Sequence, residues 1–307
     1  FAIIHTAAVL GKPRGAVLSQ ENIILANQQI IQAYDLGPDK TYLNILPLFH
    51  IMGVNLGLGT LQAGGRNVIM EKFDAQKALG LITEQKVNIF GSFPPILTQL
   101  IDTIQSTPEA DHSCLETVVG LEAPDTARQW ESKTGSTFWA LYGQTETSGI
   151  ITTSPYFEKA GSAGRITPLA TVRTIDEDDR LQSPGQTGEI VLRGPLVFQG
   201  YWNAEGVNNH TFRKEWHHTG DLGMIDADGF LFFKGRKPEK ELIKPGGENV
   251  FPAEVEQVIL AHDAVKEVCV FGVPDPKFGE GIKAVCALAP GMALTAEALT
   301  EFCAARM

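Results

Sequence analysis

From the first residue to about residue 150, short apolar runs alternate with helix-like segments, and each run tends to close on a polar or glycine-containing turn. This alternation is the pattern of a parallel α/β sheet, whose strands are buried on both faces and joined by helical crossovers. It predicts strands over Phe1 to Ile4, Tyr42 to Leu46, Arg66 to Met70, Val87 to Phe90, Thr117 to Val119 and Thr137 to Leu141. Two helices have legible starts. Ser19 stands ahead of Asn22 to Ala33, and Asp74 ahead of Ala75 to Glu84, each offering a side-chain oxygen to the first turn. In open α/β sheets ligands gather beyond the carboxyl ends of the strands. The loops after Ile4, Leu46, Val119 and Leu141 are therefore the suspect surface.

From about Gly164 to Arg236 the pattern shifts to short β-rich runs: Ala170 to Ile175, Gly188 to Arg193 and Phe230 to Phe233. Turns such as Ser183-Pro184-Gly185 and Asp228-Gly229 separate them. A sheet closing against the first region is expected. The charged, proline-containing segment Lys237-Pro238-Glu239-Lys240-Glu241 reads as a linker. Beyond it, a helix over Ala253 to Ala261, strands over Ala264 to Val273 and Ile282 to Leu288, and a helix over Thr295 to Arg306 make a small α+β domain that stops mid-helix. The expected fold is α/β, with a large domain of layered sheets and helices (residues 1–238) carrying a β-rich subdomain. A small C-terminal α+β domain, truncated, occupies residues 239–307.

Composition narrows the function. With 307 residues, 43% hydrophobic and 20% charged, the chain is long enough for a substantial core and for more than one domain. A net charge of -11 works against extended binding to nucleic acid or an anionic membrane surface, so any phosphate must be held locally. Cys114, Cys269, Cys286 and Cys303 form no C-x-x-C pair, and they read as buried thiols of a protein in a reducing, cytoplasmic setting. No apolar run is long enough to span a bilayer, and Phe1-Ala2-Ile3-Ile4 lacks the basic region and length of a signal peptide. A chain that opens directly on an apolar strand without Met is expected to begin inside a larger protein.

The chemistry concentrates in Leu141-Tyr142-Gly143-Gln144-Thr145-Glu146-Thr147. The Tyr142 ring can stack on a base, Gly143 allows close backbone approach, Thr145 can hydrogen-bond a phosphate oxygen and Glu146 can hold Mg2+. The same letters also suit a solvated turn. The loop Thr6-Ala7-Ala8-Val9-Leu10-Gly11-Lys12-Pro13-Arg14-Gly15 reads equally as a phosphate loop or as a basic turn between strand and helix. It is not a Walker A loop, because Thr6 stands at the first glycine position and Pro13 follows Lys12. Thr219-Gly220-Asp221, Gly235-Arg236 and Gly246-Gly247-Glu248-Asn249 are ordinary turns singly, although Asp221 could accept from both hydroxyls of a ribose and Arg236 could donate to the same sugar. His217-His218 has no ligand partner at metal spacing and reads as surface, and Asp176-Glu177-Asp178-Asp179 reads as a solvated hairpin turn.

Order and spacing carry more weight than any one motif. The phosphate loop is followed by Pro47-Leu48-Phe49-His50-Ile51-Met52-Gly53, Gly120-Leu121-Glu122-Ala123-Pro124, the Tyr142 to Glu146 block, Gly188-Glu189-Ile190 with Gly200-Tyr201-Trp202, and Thr219-Gly220-Asp221. Gly235-Arg236 leading to Gly246-Gly247-Glu248-Asn249-Val250-Phe251-Pro252 completes the series. In these blocks, and through essentially its whole length, the chain resembles the adenylate-forming superfamily of acyl-CoA synthetases, aryl-CoA ligases, luciferases and peptide-synthetase adenylation domains. It is most similar to a bacterial-type acyl-CoA synthetase.

The resemblance implies an enzyme that joins a carboxylate to ATP, releases pyrophosphate and passes the acyl group from acyl-AMP to CoA. Thr6, Lys12 and Arg14 with their loop would hold phosphates. Glu122, Ala123, Pro124 and Tyr142 would enclose adenine, Gly143 would let the backbone approach the nucleotide, Thr145 would contact the α-phosphate, and Glu146 would hold Mg2+. Asp221 and Arg236 would fix the ribose, with Phe233 part of the nucleotide wall. His50 would face the substrate, Lys240 or Glu241 would be the hinge, and Lys244 with Gly246 and Gly247 would serve the thiol step. The implied partners are a small-molecule carboxylic acid and CoA, and an apolar, fatty-type acid is favoured because Ile51 to Leu58 and Phe90 to Leu97 offer few charges. A non-catalytic nucleotide-binding relative and a ligase loading a carrier protein are the alternatives.

The chain also departs from the family's pattern. Ala7, Ala8, Val9 and Leu10 replace most hydroxyls of the usual phosphate loop and one glycine, and nine residues, Lys237 to Pro245, separate Arg236 from Gly246 where relatives commonly have fewer. Neither the C-terminal lysine loop nor the upstream part of the large domain is matched. The chain is thus expected to be the central piece of such a synthetase and to adenylate poorly by itself.

Overall fold

The first apolar run does not join the parallel sheet predicted for it. Strand β1 (Ala2–Thr6) pairs antiparallel with β2 (Arg14–Leu18) as a separate two-stranded ribbon, with Thr6 opposite Arg14, so the intervening loop joins two strands and not a strand and a helix. Alternation along five residues identifies a strand but carries no information about its partner. The computed structural model describes residues 1–6, 13–237, 243–248, 250 and 252–307 of the chain. These fall into two compact units, one of Phe1–Thr6 with Arg14–Lys237 and one of Pro13 with the described residues from 243 onward.

In the first unit, helix α1 (Gln20–Ala33) starts where Ser19 predicts. The Ser19 hydroxyl accepts the Asn22 N–H at 3.0 Å, and the Asn22 side chain accepts the Ser19 N–H in return. After β3 (Thr41–Asn44) come α2 (Ile51–Gln62), β4 (Arg66–Ile69), α3 (Ala75–Gln85), capped by Asp74, and β5 (Ile89–Ser92). Next are α4 (Ile96–Ser106), β6 (Thr117–Gly120), α5 (Pro124–Thr134), β7 (Thr137–Gln144), β8 (Gly149–Pro155) and β9 (Arg165–Ile166). The strands form one sheet in the order β4-β3-β5-β6-β7-β8-β9, parallel through β7 and antiparallel from β8 onward. The central strands β3, β5 and β6 are buried at every residue, their apolar centres flanked by the buried polar side chains of Thr41, Asn44, Ser92 and Thr117. Trp130 of α5 sets its ring edge-on to Phe90 of β5 at 5.6 Å and satisfies its indole N–H on the Ser136 hydroxyl at 2.6 Å.

The second sheet comprises β10 (Thr171–Ile175), β11 (Thr187–Arg193), β12 (Phe212–Arg213), β13 (Trp216–Ile225) and β14 (Leu231–Arg236), with α6 (Glu205–Thr211) before β12. Its order is β10-β11-β13-β12, and β14 also pairs with β13. Ile190, Leu192 and Leu231 pack with Tyr142 and Ile151, so the two sheets share a core. The pair His217-His218, expected at the surface, is 1% and 4% exposed. Alternation sends the two rings to opposite faces of β13, where His217 packs against Phe198 and Phe212 and His218 faces Glu189. The turn at Asp176 to Asp179 is present as expected, with the Asp176 carboxylate accepting the backbone N–H groups of Asp178 and Arg180.

The second unit holds α7 (Pro252–Leu260), β15 (Val265–Asp275), β16 (Gly279–Leu288) and α8 (Ala296–Ala304) around Ile243, Val255, Ile259, Val265 and Val270. The four cysteines are free but not fully buried as expected: Cys269 lies exposed on β15, and Cys114, Cys286 and Cys303 are half-buried. Among the described residues no helix is long and apolar enough to cross a membrane.

Candidate functional site

The densest polar arrangement lies where β13 and β14 face the end of β7. Asp221 of β13 sits opposite Arg236 of β14 and is only 3% exposed. Its Oδ2 accepts the Tyr142 hydroxyl at 2.7 Å and the Gln144 side-chain amide at 2.6 Å, while Arg236 Nε lies 3.3 Å from Oδ1. Burial, with the adjacent Asp221 carboxylate, raises the Tyr142 phenol well above its usual value, so at neutral pH this hydroxyl is a donor. Phe233 stands beside it, ring centroids 6.2 Å apart and planes 31° from parallel, and remains half-exposed. A carboxylate has about four lone-pair directions, and this one has three donors. What remains is an acceptor on Oδ1 next to a guanidinium and two rings, a combination suited to a sugar hydroxyl beside a flat base.

The next carboxylate along β7 is held differently. Glu146 lies in a single 3-10 turn, Thr145–Thr147, built on the Gln144 N–H donating to Thr147 Oγ1 at 2.8 Å. The close approach available at Gly143 is to β8, since a Cβ there would collide with the Gly149 carbonyl. Glu146 is 7% exposed, and its Oε1 accepts the Tyr201 hydroxyl at 2.6 Å. Burial, then the Glu146 charge, holds Tyr201 protonated. The Arg14 guanidinium lies 5.7 Å from the Tyr201 ring centre, which brings β2 to the same spot, and the Thr6 hydroxyl donates to the Arg14 carbonyl at 3.4 Å. No group of three or more metal-ligating side chains occurs among the described residues. Mg2+ is commonly bound by one or two carboxylates plus substrate phosphates, and Glu146, whose Oε1 has the Tyr201 hydroxyl as partner, is the carboxylate here that would hold it.

A third group lies at the ends of β5 and β6. Ser92 Oγ donates to Glu122 Oε1 at 3.1 Å, and burial pushes the Glu122 carboxyl up to about 7 against the smaller opposing effect of that bond. Because Gly120 of β6 pairs with Ala140 of β7, the exposed Ala123 and Pro124 leave the sheet at the edge where Tyr142 continues. His50 is the N-cap of α2. Its Nδ1 accepts the Met52 N–H at 3.4 Å, and its ring meets Phe93, just past β5, at 6.1 Å. In the second unit the Lys244 N–H donates to Glu280 at 2.6 Å, and Gly246 and Gly247 form a 3-10 turn at φ of 60° and 88°. Lys12, Lys240 and Glu241 lie outside the described residues.

Tyr142, Phe233, Asp221 and Arg236 are therefore brought together, and Glu146 and Arg14 both meet Tyr201. Gln144, Tyr201 and Ser92 were not singled out from the sequence for any role. Gln144 and Tyr201 stand inside recognisable blocks, but what each touches is a residue 77 or 55 positions away.

Comparison with known proteins gives two family matches: AMP-binding enzyme over residues 1–202, and AMP-binding enzyme C-terminal domain over residues 254–307. A medium/long-chain-fatty-acid–CoA ligase of Mycobacterium tuberculosis is 36% identical across 93% of this chain and 51% of its own length. The o-succinylbenzoate-CoA synthetase of Bacillus subtilis, in a double-mutant form bound to a product analogue, superposes with a TM-score of 0.88 at 31% identity, covering 98% of this chain and 61% of that one. The same synthetase in complex with its acyl-adenylate intermediate gives 0.71 at 30% identity, covering 99% and 62%. The chain thus spans about half to three-fifths of the length of these relatives.

Proposed function

Because this chain belongs to the AMP-binding enzyme family, we propose that it is part of an AMP-forming acid–CoA ligase acting on an apolar, fatty-type acid. The observation that carries the reading is the convergence of Tyr142, Gln144 and Arg236 on Asp221 with Phe233 alongside. In the proposal Asp221 and Arg236 hold the ribose, and Tyr142, Phe233 and the Glu122 to Pro124 segment enclose the base. Thr145 contacts the α-phosphate, Thr6, Lys12 and Arg14 hold the outgoing phosphates, and His50 faces the acid. Glu146 would hold Mg2+, which when bound neutralises phosphate charge. The substrate carboxylate is already ionised at neutral pH and attacks the α-phosphorus without a general base. Positioning and neutralisation of the leaving pyrophosphate are what the chain supplies.

Division into a large domain (1–238) and a small mobile domain (239–307) is part of the same proposal, with Lys240 or Glu241 as hinge and Lys244, Gly246 and Gly247 serving transfer to CoA. Its support is the separation of the described residues into two units after Lys237. A cytoplasmic location, in which the free cysteines stay reduced, belongs to it as well. The fatty-type acid rests on the M. tuberculosis relative and on the uncharged loops Ile51 to Leu58 and Phe90 to Leu97, while the B. subtilis synthetase handles a different acid. The test is an assay of the full-length protein with ATP, Mg2+, CoA and a panel of aliphatic, aromatic and dicarboxylic acids. AMP and acyl-CoA formed fastest with aliphatic acids is the expected result. Nucleotide binding without pyrophosphate release, or transfer only to a carrier protein, would overturn it.

A further inference from the structure

We propose that Glu189 is a positioning residue for the Asp221–Arg236 pair, acting through the backbone on either side of it; the inference rests on the reading of that pair as the ribose site. Glu189 is 5% exposed on β11. Its Oε1 accepts the Gly220 N–H at 3.0 Å, and its Oε2 lies 3.0 Å from Lys237 Nζ, 3.3 Å from His218 Nδ1 and 3.4 Å from an Arg213 guanidinium nitrogen. Gly220 immediately precedes Asp221, and Lys237 immediately follows Arg236. The Lys237 N–H also donates to the Gly220 carbonyl at 3.0 Å. One carboxylate therefore holds both neighbours of the pair.

The local backbone needs such a fixture. In the β11–β13 ladder Glu189 faces Leu222 and Val191 faces His218, so three residues of β13, Thr219, Gly220 and Asp221, stand against the single Ile190 outside that ladder, Asp221 pairing instead with Arg236 of β14. Gly220 sits at φ of 68°, a conformation that turns its N–H toward Glu189. The Thr219 hydroxyl, donating to the Ile190 carbonyl at 2.6 Å and accepting the Asp221 N–H at 3.1 Å, ties the other side of the bulge. Although burial opposes its charge, His218 and Lys237 bring the Glu189 carboxyl down to about 2, so it is ionised whenever nucleotide binds.

The experiment measures ATP and 2′,3′-dideoxy-ATP dissociation constants on the full-length protein and on its Asp221→Asn, Glu189→Gln and Lys237→Met variants, with kcat and KM for ATP alongside. The expected result is that Glu189→Gln weakens ATP by about tenfold, the scale of one misplaced charge-assisted hydrogen bond, while dideoxy-ATP changes less than about twofold. KM for ATP rises, kcat stays within about twofold, and Lys237→Met shows the same selectivity at roughly threefold. Equal weakening of both nucleotides in Glu189→Gln, or none in either, beside an Asp221→Asn variant that still discriminates, overturns the positioning role. Should Glu189→Gln fail to fold, Lys237→Met decides by the same ratio. An Asp221→Asn variant that loses both nucleotides equally overturns the ribose reading itself, and the inference with it.

Discussion

Asp221 and Glu146 are both buried carboxylates of the first unit, and they are held in opposite ways. Asp221, on the bulged β13, meets a phenol, an amide and a guanidinium. Glu146, in a three-residue turn, meets one phenol, and among the described residues no donor reaches its Oε2. A carboxylate nearly saturated by donors is fixed in place and can accept only one further hydroxyl. One held by a single bond retains the acceptor capacity that a hard cation needs. The same residue class thus divides into a saturated anchor and a carboxylate with acceptor capacity to spare, according to how many donors the fold sends to it.

The largest effect expected from this difference is on stability. Asp221→Ala strands the Tyr142 hydroxyl, the Gln144 amide and the Arg236 charge, and should cost about 3–5 kcal/mol in denaturant unfolding. Glu146→Ala strands one hydroxyl and should cost about 1 kcal/mol. Equal costs would dissolve the contrast.

Glu122 extends the comparison to a carboxyl with two donors, the Ser92 hydroxyl and the Leu97 N–H, and strong desolvation. Its folded value of about 7 lies above the ordinary 4.5, so between these values the folded protein keeps a proton that the unfolded chain releases. Stability from this group is complete below pH 4.5 and declines as pH rises through 7, by up to about 3 kcal/mol. Glu122→Gln should remove that slope, so urea midpoints of the two proteins, compared from pH 5 to 8, should diverge steadily. A constant difference would mean that burial does not burden Glu122. The third effect is smaller: Glu146→Gln should remove an Mg2+-dependent gain in ATP affinity of about tenfold, near 1.4 kcal/mol, while ATP binding in EDTA stays level. If Mg2+ still strengthened binding tenfold, Glu146 would not hold the metal.

Much of the scaffold was legible because its signals are local. Ser19 and Asp74 cap the helices they precede, and the buried strands β3, β5 and β6 announce themselves by the apolar pairs Tyr42-Leu43, Ile89-Phe90 and Val118-Val119. The pairing of β1 with β2 was not legible, since a strand's partner depends on the rest of the chain. His217 and His218 misread as surface because a polar pair on a strand looks solvated unless both faces of that strand are known to be covered. In the site, Tyr142, Asp221 and Arg236 were visible as members of ordered blocks. Tyr201 belonged to a block too, but its hydroxyl acts on a residue 55 positions away, and Glu189 meets Gly220 across 31. Spacing along a sequence records what recurs nearby. It does not record which hydroxyl happens to end at which carboxylate.

The smallest effect falls on that hydroxyl. Tyr201→Phe removes the one bond to Glu146 Oε1 while the ring keeps its edge-on contact with Phe198 at 4.9 Å, so packing is preserved and the cost should be about 1 kcal/mol. A double-mutant cycle on Tyr201 and Glu146, using Phe and Ala, isolates the pair and should return a coupling of about 1 kcal/mol. Zero coupling would mean that the 2.6 Å bond holds neither group, and that Glu146 is oriented by its turn alone.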